Sequence, residues 1–440
     1  MSTTPKLEAA LDRRALLWLA ASAGVSAALP RLARAADNPE LMPRVRALVE
    51  KWVAPGKCPG LVASLGLPGR DAEFVCRGTQ GFTDADPMTP DTLFRIYSMT
   101  KPVTGMAAMQ LIAQGKLTLD QPVYDILPKF RHMMVQDNYD GSITALHPAP
   151  RPITIRQLLT HTSGLGYSII QKGAIAGLMK RKGLVPGQIS HFPLPGITDA
   201  PPVKGLDHFA DALAEIPLVY DPGTKWSYSM GLDLMGRVIE VVSGKPFDTY
   251  LQETIFGPVG MKDTGFRVPK ADAGRLATNF GVVAGILVPI DEGDSSVFLD
   301  APACPFGGAG LVSSPRDYDR FLRMLAQFGR IDGRQVLAEA AVRQGTADLL
   351  PPGVAGPTIM APQSGFGAGG RVGLGAEAGV FGWAGAAGTV GMVDMLHGLR
   401  SQLFAQFMPA DSLDLLPEFQ IALRADVHDL LARSPGAAPT

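Results

Sequence analysis

Ser98 and Lys101 stand three residues apart in Ser98-Met99-Thr100-Lys101, ahead of Pro102 and the apolar run Val103, Met106, Ala107, Met109, Leu111 and Ile112. Proline is tolerated in the first turn of a helix, so Pro102 places a helix start near Ser98, and Gly115 supplies the stop. Residues three apart share a helix face, which sets the Lys101 ammonium beside the Ser98 hydroxyl. The helix is apolar nearly all round and reads as buried. A serine at its N-terminus has the positive end of the helix dipole and unpaired N–H groups close by. A lysine buried there loses solvation, which favours its neutral, basic form. The pair can therefore carry nucleophilic acyl transfer, with the lysine helping to remove the serine proton. The pattern S-x-x-K occurs once in the chain but is common by chance, so its meaning depends on the rest.

The 440 residues are 46% hydrophobic and 18% charged, enough for two domains or one large domain with an insertion. A net charge of −1 without a dense Lys/Arg stripe gives no footprint for nucleic acid. Seven scattered histidines form no H-E-x-x-H, and three cysteines form no C-x-x-C. Neither a metal site nor a cofactor is expected. The absence of G-x-S-x-G argues against the nucleophile elbow of α/β-hydrolases.

Residues 1–35 read as an export signal. Arg13-Arg14 precedes an apolar stretch over 15–29, then Pro30 and the small-residue site Ala33-Arg34-Ala35. The apolar run is short for a bilayer span, and the paired arginines resemble a twin-arginine signal. The expectation is an exported, periplasmic protein with no stable membrane span after processing. Cys58, Cys76 and Cys304 are an odd number, which precludes complete pairing within the chain, and all three read as packing residues.

The elements that must position Ser98 follow from periodicity. Residues 38–53 read as an amphipathic helix, and 61–67 and 72–76 as a hairpin around Pro68-Gly69-Arg70-Asp71. Thr92 to Ile96 delivers the chain into the Ser98 helix. Helices are expected over 155–160, 230–243 with Gly244 as stop, and 247–255. Residues 183–205, rich in Pro and Gly, read as a surface loop suited to a lid. Beyond 270 come a helix capped near Ser314, strands over 380–383, 389–395 and 402–407, and a closing helix over 413–431. The fold class is α+β: one antiparallel sheet built from both chain ends, with a mainly helical insertion. The expected division is 36–105 with 271–440 as one discontinuous α/β domain and 106–270 as the helical domain.

Several stretches together resemble the serine β-lactamase-like hydrolases, closest to class C β-lactamases and family VIII carboxylesterases. They are Thr92-Leu-Phe-Arg-Ile-Tyr-Ser98-Met-Thr-Lys101, Leu158-Leu-Thr-His-Thr-Ser-Gly-Leu165, Pro222-Gly-Thr-Lys-Trp-Ser-Tyr228-Ser and Phe381-Gly-Trp-Ala-Gly-Ala-Ala-Gly-Thr389. Of the family's three motifs, S-x-x-K is intact as Ser98 and Lys101. Tyr228-Ser229-Met230 keeps the tyrosine of Y-x-N but replaces the asparagine, and Trp383-Ala384-Gly385 stands where K-T-G is expected. The resemblance implies an acyl-enzyme on Ser98, with Lys101 and Tyr228 sharing the base work. It implies an oxyanion hole from the Ser98 and Ala386 amides, and a cleft lined by Trp383, Gly385, Met230 and Tyr97. The substrate implied is a small ester; the alternatives are an amide-directed enzyme of the same fold (a peptidase, a weak β-lactamase or an acyltransferase) and a non-catalytic binding protein that keeps the pocket. Trp383 and Met230 favour a neutral substrate, unless Arg371 or Arg400 returns a cation to the cleft. His161, in His-Thr-Ser-Gly, reads as a structural turn.

Overall fold

The computed structural model describes residues 41–53, 57–192, 200–358, 361 and 363–432. The expected export signal, and residues 193–199 of the expected lid loop, lie outside them. Five helices frame the site: α1 (Pro43–Val53), α2 (Thr100–Ala113), α3 (Gly231–Ser243), α4 (Pro315–Ala326) and α5 (Leu415–Ala432). The main sheet has strands β1 (Gly60–Gly66), β2 (Glu73–Gly78), β3 (Ser364–Phe366), β4 (Arg371–Gly373), β5 (Val380–Gly385), β6 (Thr389–Asp394) and β7 (Arg400–Phe404).

Its spatial order is β3-β4-β5-β6-β7-β1-β2, antiparallel throughout. The two chain ends therefore meet at β1 and β7, where Val62 faces Phe404 and Leu65 faces Ser401. β1 is buried along its whole length because both faces of the sheet are covered. Alternate residues of a strand point to opposite faces. Leu61, Ala63 and Leu65 accordingly share a core with Val45, Leu48 and Trp52 of α1 and Leu415 and Phe419 of α5. Val62 and Phe404 belong to the larger core, with Tyr318, Phe321 and Leu322 of α4. The cap of α4 is as expected: Ser314 Oγ accepts from the Asp317 amide at 3.2 Å.

The middle of the chain supplies most of the remaining helices, and α2 is its axis. Thr100 to Met109 and Leu111 are buried, so α2 has no solvent face until its last turn. It packs against α3 and the helix Glu339–Gly345. The α-helix proper begins at Thr100, two residues later than the Pro102 rule suggests, because Tyr97–Met99 form a 3₁₀ turn first. Gly115, at φ +69°, follows the C-terminus. The three cysteines carry free thiols; burial pushes Cys58 up to about 12 and Cys76 to about 11.

Candidate active site

The turn carrying Ser98 is held from below by a buried ion pair. The short strand Phe94–Arg95 pairs with Val312–Ser313, and the fully buried Arg95 guanidinium donates through Nε to Asp291 Oδ2 at 2.8 Å. It also donates to the Ala277 carbonyl and to Ser296 Oγ at 2.9 Å, so the charge is desolvated but fully engaged. Tyr97 follows at φ +40°, a left-handed conformation unusual for a residue with a side chain. That kink turns the chain into the 3₁₀ turn carrying Ser98.

Three polar atoms converge there. Lys101 Nζ donates to Ser98 Oγ at 3.2 Å and to the Gly308 carbonyl at 2.7 Å. The Tyr228 hydroxyl donates to Ser98 Oγ at 2.7 Å. Lys101 is fully buried, its ammonium 4.5 Å from the Tyr228 ring centre and 5.6 Å from that of Tyr167.

Tyr228 ends the loop that begins at Pro222-Gly223. The His161 carbonyl accepts from the Ser227 amide at 3.0 Å and from the Tyr220 hydroxyl at 3.0 Å. His161 Nδ1 accepts from the Ser229 amide at 3.2 Å, which leaves the ring proton on Nε2. Burial, with the Lys101 charge adding to it, holds the His161 imidazole well below its ordinary range and keeps it neutral. The ring packs 4.7 Å from that of Tyr228. His161 is thus a structural turn that fixes the tyrosine loop. Trp226, Tyr167 and Trp383 complete an aromatic wall around the same ring.

β5 brings the other side of the cleft. Gly385 must be glycine, because a Cβ there would lie 2.4 Å from the Ile96 carbonyl and 2.2 Å from Thr389 Oγ1. The strand end thereby lies directly against the turn that precedes Ser98. Ala386 follows, exposed at the start of the hairpin turn. Among the described residues, neither the Ser98 nor the Ala386 amide donates to another protein group.

Three sequence expectations are corrected, and the reservation about Arg371 and Arg400 is answered. Tyr97 is 3% exposed and packs in a core cluster with Phe298, Ala309 and Ala387, its hydroxyl accepting from Asn279 Nδ2 at 3.1 Å. It supports the cleft from beneath rather than offering its side chain to a substrate. Met230 is fully buried in the main core, because the N-terminus of α3 turns it inward, so it gives no apolar contact in the cleft. Trp383 does border Tyr228 but is only 4% exposed, and its indole N–H donates to the Tyr228 oxygen at 3.2 Å rather than to a substrate. Arg371 and Arg400 return no cation, because each is buried and paired, with Glu377 and Asp319 respectively.

Sequence reasoning passed over Arg95, Asp291, Gly308 and Asp233. The last carries a readable signal: it is a carboxylate among the buried positions Leu232, Leu234 and Met235 of α3.

The antiparallel sheet flanked by helices, with serine, lysine and tyrosine at one point, is an α+β arrangement of the β-lactamase-like type. The chain belongs to the Beta-lactamase family, whose model matches residues 45–421. Among curated relatives it is 37% identical over 280 residues to Protein Rv1367c of Mycobacterium tuberculosis, covering 61% of this chain and 63% of that one. It is 34% identical over 304 residues to Esterase EstB of Burkholderia gladioli, covering 64% and 70% respectively. The chain thus spans less than two thirds of the mycobacterial relative's length. Among solved structures it is similar to "EstCE1, a hydrolase with promiscuous acyltransferase activity", at TM-score 0.70 and 26% identity over 90% of this chain and 100% of that one. Unliganded simvastatin synthase from Aspergillus terreus superposes with TM-score 0.68 at 26% identity, covering 89% and 100%.

Proposed function

We propose that this protein is a serine hydrolase that cleaves carboxylic esters through an acyl-enzyme. The observation carrying this reading is that Ser98 Oγ lies within hydrogen-bond reach of both Lys101 Nζ and the Tyr228 hydroxyl, at 3.2 and 2.7 Å. As Ser98 attacks the ester carbonyl, its proton passes to the Lys101–Tyr228 pair. The tetrahedral oxyanion sits between the Ser98 and Ala386 amides. Tyr228 then returns the proton to the leaving alcohol, leaving Ser98 acylated. Water enters, loses a proton to the same pair, and releases the acid and free Ser98.

The name of one relative, Esterase EstB, supports the ester reading, and EstCE1 is described as a hydrolase. A second reading is transfer of the acyl group to an alcohol instead of water. It shares every step up to the acyl-enzyme and is favoured by the A. terreus monacolin J acid methylbutanoyltransferase, 32% identical over 248 residues. Residues 1–35 would direct the protein out of the cytoplasm; N-terminal sequencing from the native host should give a start near Ala36, and an intact Met1 in soluble cytoplasmic material refutes export.

The test is labelling with a fluorophosphonate, followed by p-nitrophenyl butyrate and nitrocefin turnover on one preparation. The adduct is expected on Ser98, with kcat/KM higher for the ester. An adduct on another serine overturns the nucleophile, and equal or faster nitrocefin cleavage overturns the ester preference.

A further inference from the structure

The Ser98 and Ala386 amides come from distant parts of the chain, and one side chain ties those parts together. Residues 405–407 follow β7 and bond to the turn just beyond Ala386. There the Gly388 carbonyl accepts from the Ala405 amide and the Ala387 carbonyl from the Phe407 amide, each at 3.2 Å. From this segment the Gln406 side chain, 5% exposed, reaches Arg95. Its Oε1 accepts from the Arg95 amide at 3.0 Å and from the guanidinium Nη1 at 3.2 Å. Its Nε2 donates to the Arg95 carbonyl at 3.1 Å and to the Ala405 carbonyl at 3.0 Å. One carboxamide thus meets both backbone polar groups of Arg95, as a neighbouring strand would. Both donor hydrogens and both acceptor sites are used, which fixes the amide's orientation, since the swapped group would set its oxygen against two carbonyls.

We propose that Gln406 is a positioning residue of the oxyanion hole: by tying Arg95 to the segment that holds the Ala386 turn, it sets the separation of the Ser98 and Ala386 amides. This rests on the acyl-enzyme reading and its two oxyanion donors, and deepens it. Ser98 lies three residues beyond Arg95, and Ala386 one residue before Ala387, so each donor is a short stretch of chain from the tether. A second contact between the two sides is steric, with Gly385 against the Ile96 carbonyl. It limits how closely they approach and does nothing to stop them parting. The Gln406 bonds do that, because separation in a buried site would leave the N–H and C=O of Arg95 and the carboxamide itself without partners. An oxyanion hole works only while both N–H groups lie about 2.7–3.1 Å from the developing charge, so drift of either side by a few tenths of an ångström weakens it.

The test compares wild type, Gln406→Glu and Gln406→Asn. Glutamate keeps the length and the acceptor for Arg95 but, when ionised, has no donor for the Arg95 and Ala405 carbonyls. Asparagine keeps the amide but is one methylene too short to meet both sides. Turnover of p-nitrophenyl butyrate is expressed per Ser98 titrated to completion with a fluorophosphonate. Inhibition by an alkyl trifluoromethyl ketone is measured on the same preparations. In that adduct Ser98 Oγ bonds to the carbonyl carbon, the serine proton passes to the Lys101–Tyr228 pair, and the carbonyl oxygen becomes an oxyanion. In both variants kcat/KM per titrated Ser98 is expected to fall at least about 10-fold, less than the cost of losing a whole oxyanion donor. The Ki of the ketone should rise by the same factor to within about threefold, because it reports binding of the oxyanion. A merely structural role leaves fewer titratable serines, each with its rate and its affinity for the ketone unchanged. In either variant, a kcat/KM within about threefold of wild type, or a fall that the Ki does not follow, overturns the proposal. Should one variant not fold, the other decides; should neither fold, Gln406 serves stability and the proposal falls. Wild type that does not label at Ser98 refutes the acyl-enzyme reading instead.

Discussion

The Tyr228 hydroxyl reaches Ser98 Oγ at 2.7 Å although 130 residues separate the two in the chain. The contact places a phenol hydroxyl directly on the serine oxygen. Tyr228→Phe keeps the ring and its aromatic wall and removes only that hydroxyl. It should lower kcat by about 10²-fold or more, the usual scale for a positioned acid–base group, and Lys101→Ala should do the same. Ser98→Ala should abolish turnover with an unchanged Tm. Steady-state rates and thermal melts on purified variants check all three; near wild-type rates for either base variant would reassign the proton acceptor.

Trp383 donates its indole N–H to the Tyr228 oxygen at 3.2 Å. A neutral hydrogen bond contributes about 0.5–1.5 kcal/mol, which predicts a fall in kcat of about 3- to 10-fold for Trp383→Phe. KM should hardly change, because the donor faces the tyrosine and not the substrate. A KM effect larger than the kcat effect would show that Trp383 binds substrate directly.

Gly385 sits against the Ile96 carbonyl at the entrance to the Ser98 turn. Overpacking of this kind costs about 1–3 kcal/mol. Gly385→Ala should lower the urea midpoint accordingly and reduce kcat as well, because relief of the clash must move either β5 or the Ser98 turn. Full activity with unchanged stability would mean that the two elements separate without consequence.

Burial raises the Asp233 carboxyl from 3.8 to about 6, with Lys101 and the Gly308 amide opposing it. The sign follows from proton binding. Between about pH 4 and 6 the folded state holds a proton that the unfolded state has released, so rising pH favours unfolding across that window. Above it the full penalty of a buried charge remains. Wild type should therefore lose on the order of 2 kcal/mol relative to Asp233→Asn between pH 4 and pH 8. Chemical denaturation at both pH values measures it; an unchanged difference would place the Asp233 carboxyl in its ordinary range.

The chain alone carried Ser98, Lys101 and Tyr228, the buried helix behind them, and a sheet assembled from both termini. Ser98, Lys101 and the helix rest on a three-residue spacing and a proline in a first turn, Tyr228 on the resemblance of its motif, and the sheet on strand patterns at both ends of the chain. What the side chains do at turns and helix ends was decided only in three dimensions. Tyr97 and Met230 lie next to Ser98 and Tyr228 in sequence but turn into the core, because a kinked backbone and a helix start set their direction. Trp383 has its N–H taken by Tyr228, 155 residues away. Arg371 and Arg400 are neutralised by carboxylates they meet through folding. The Asp233–Gly308 bond joins residues 75 apart. Desolvation and charge pairing depend on which neighbours the tertiary structure brings within a few ångströms, and local spacing holds no record of that.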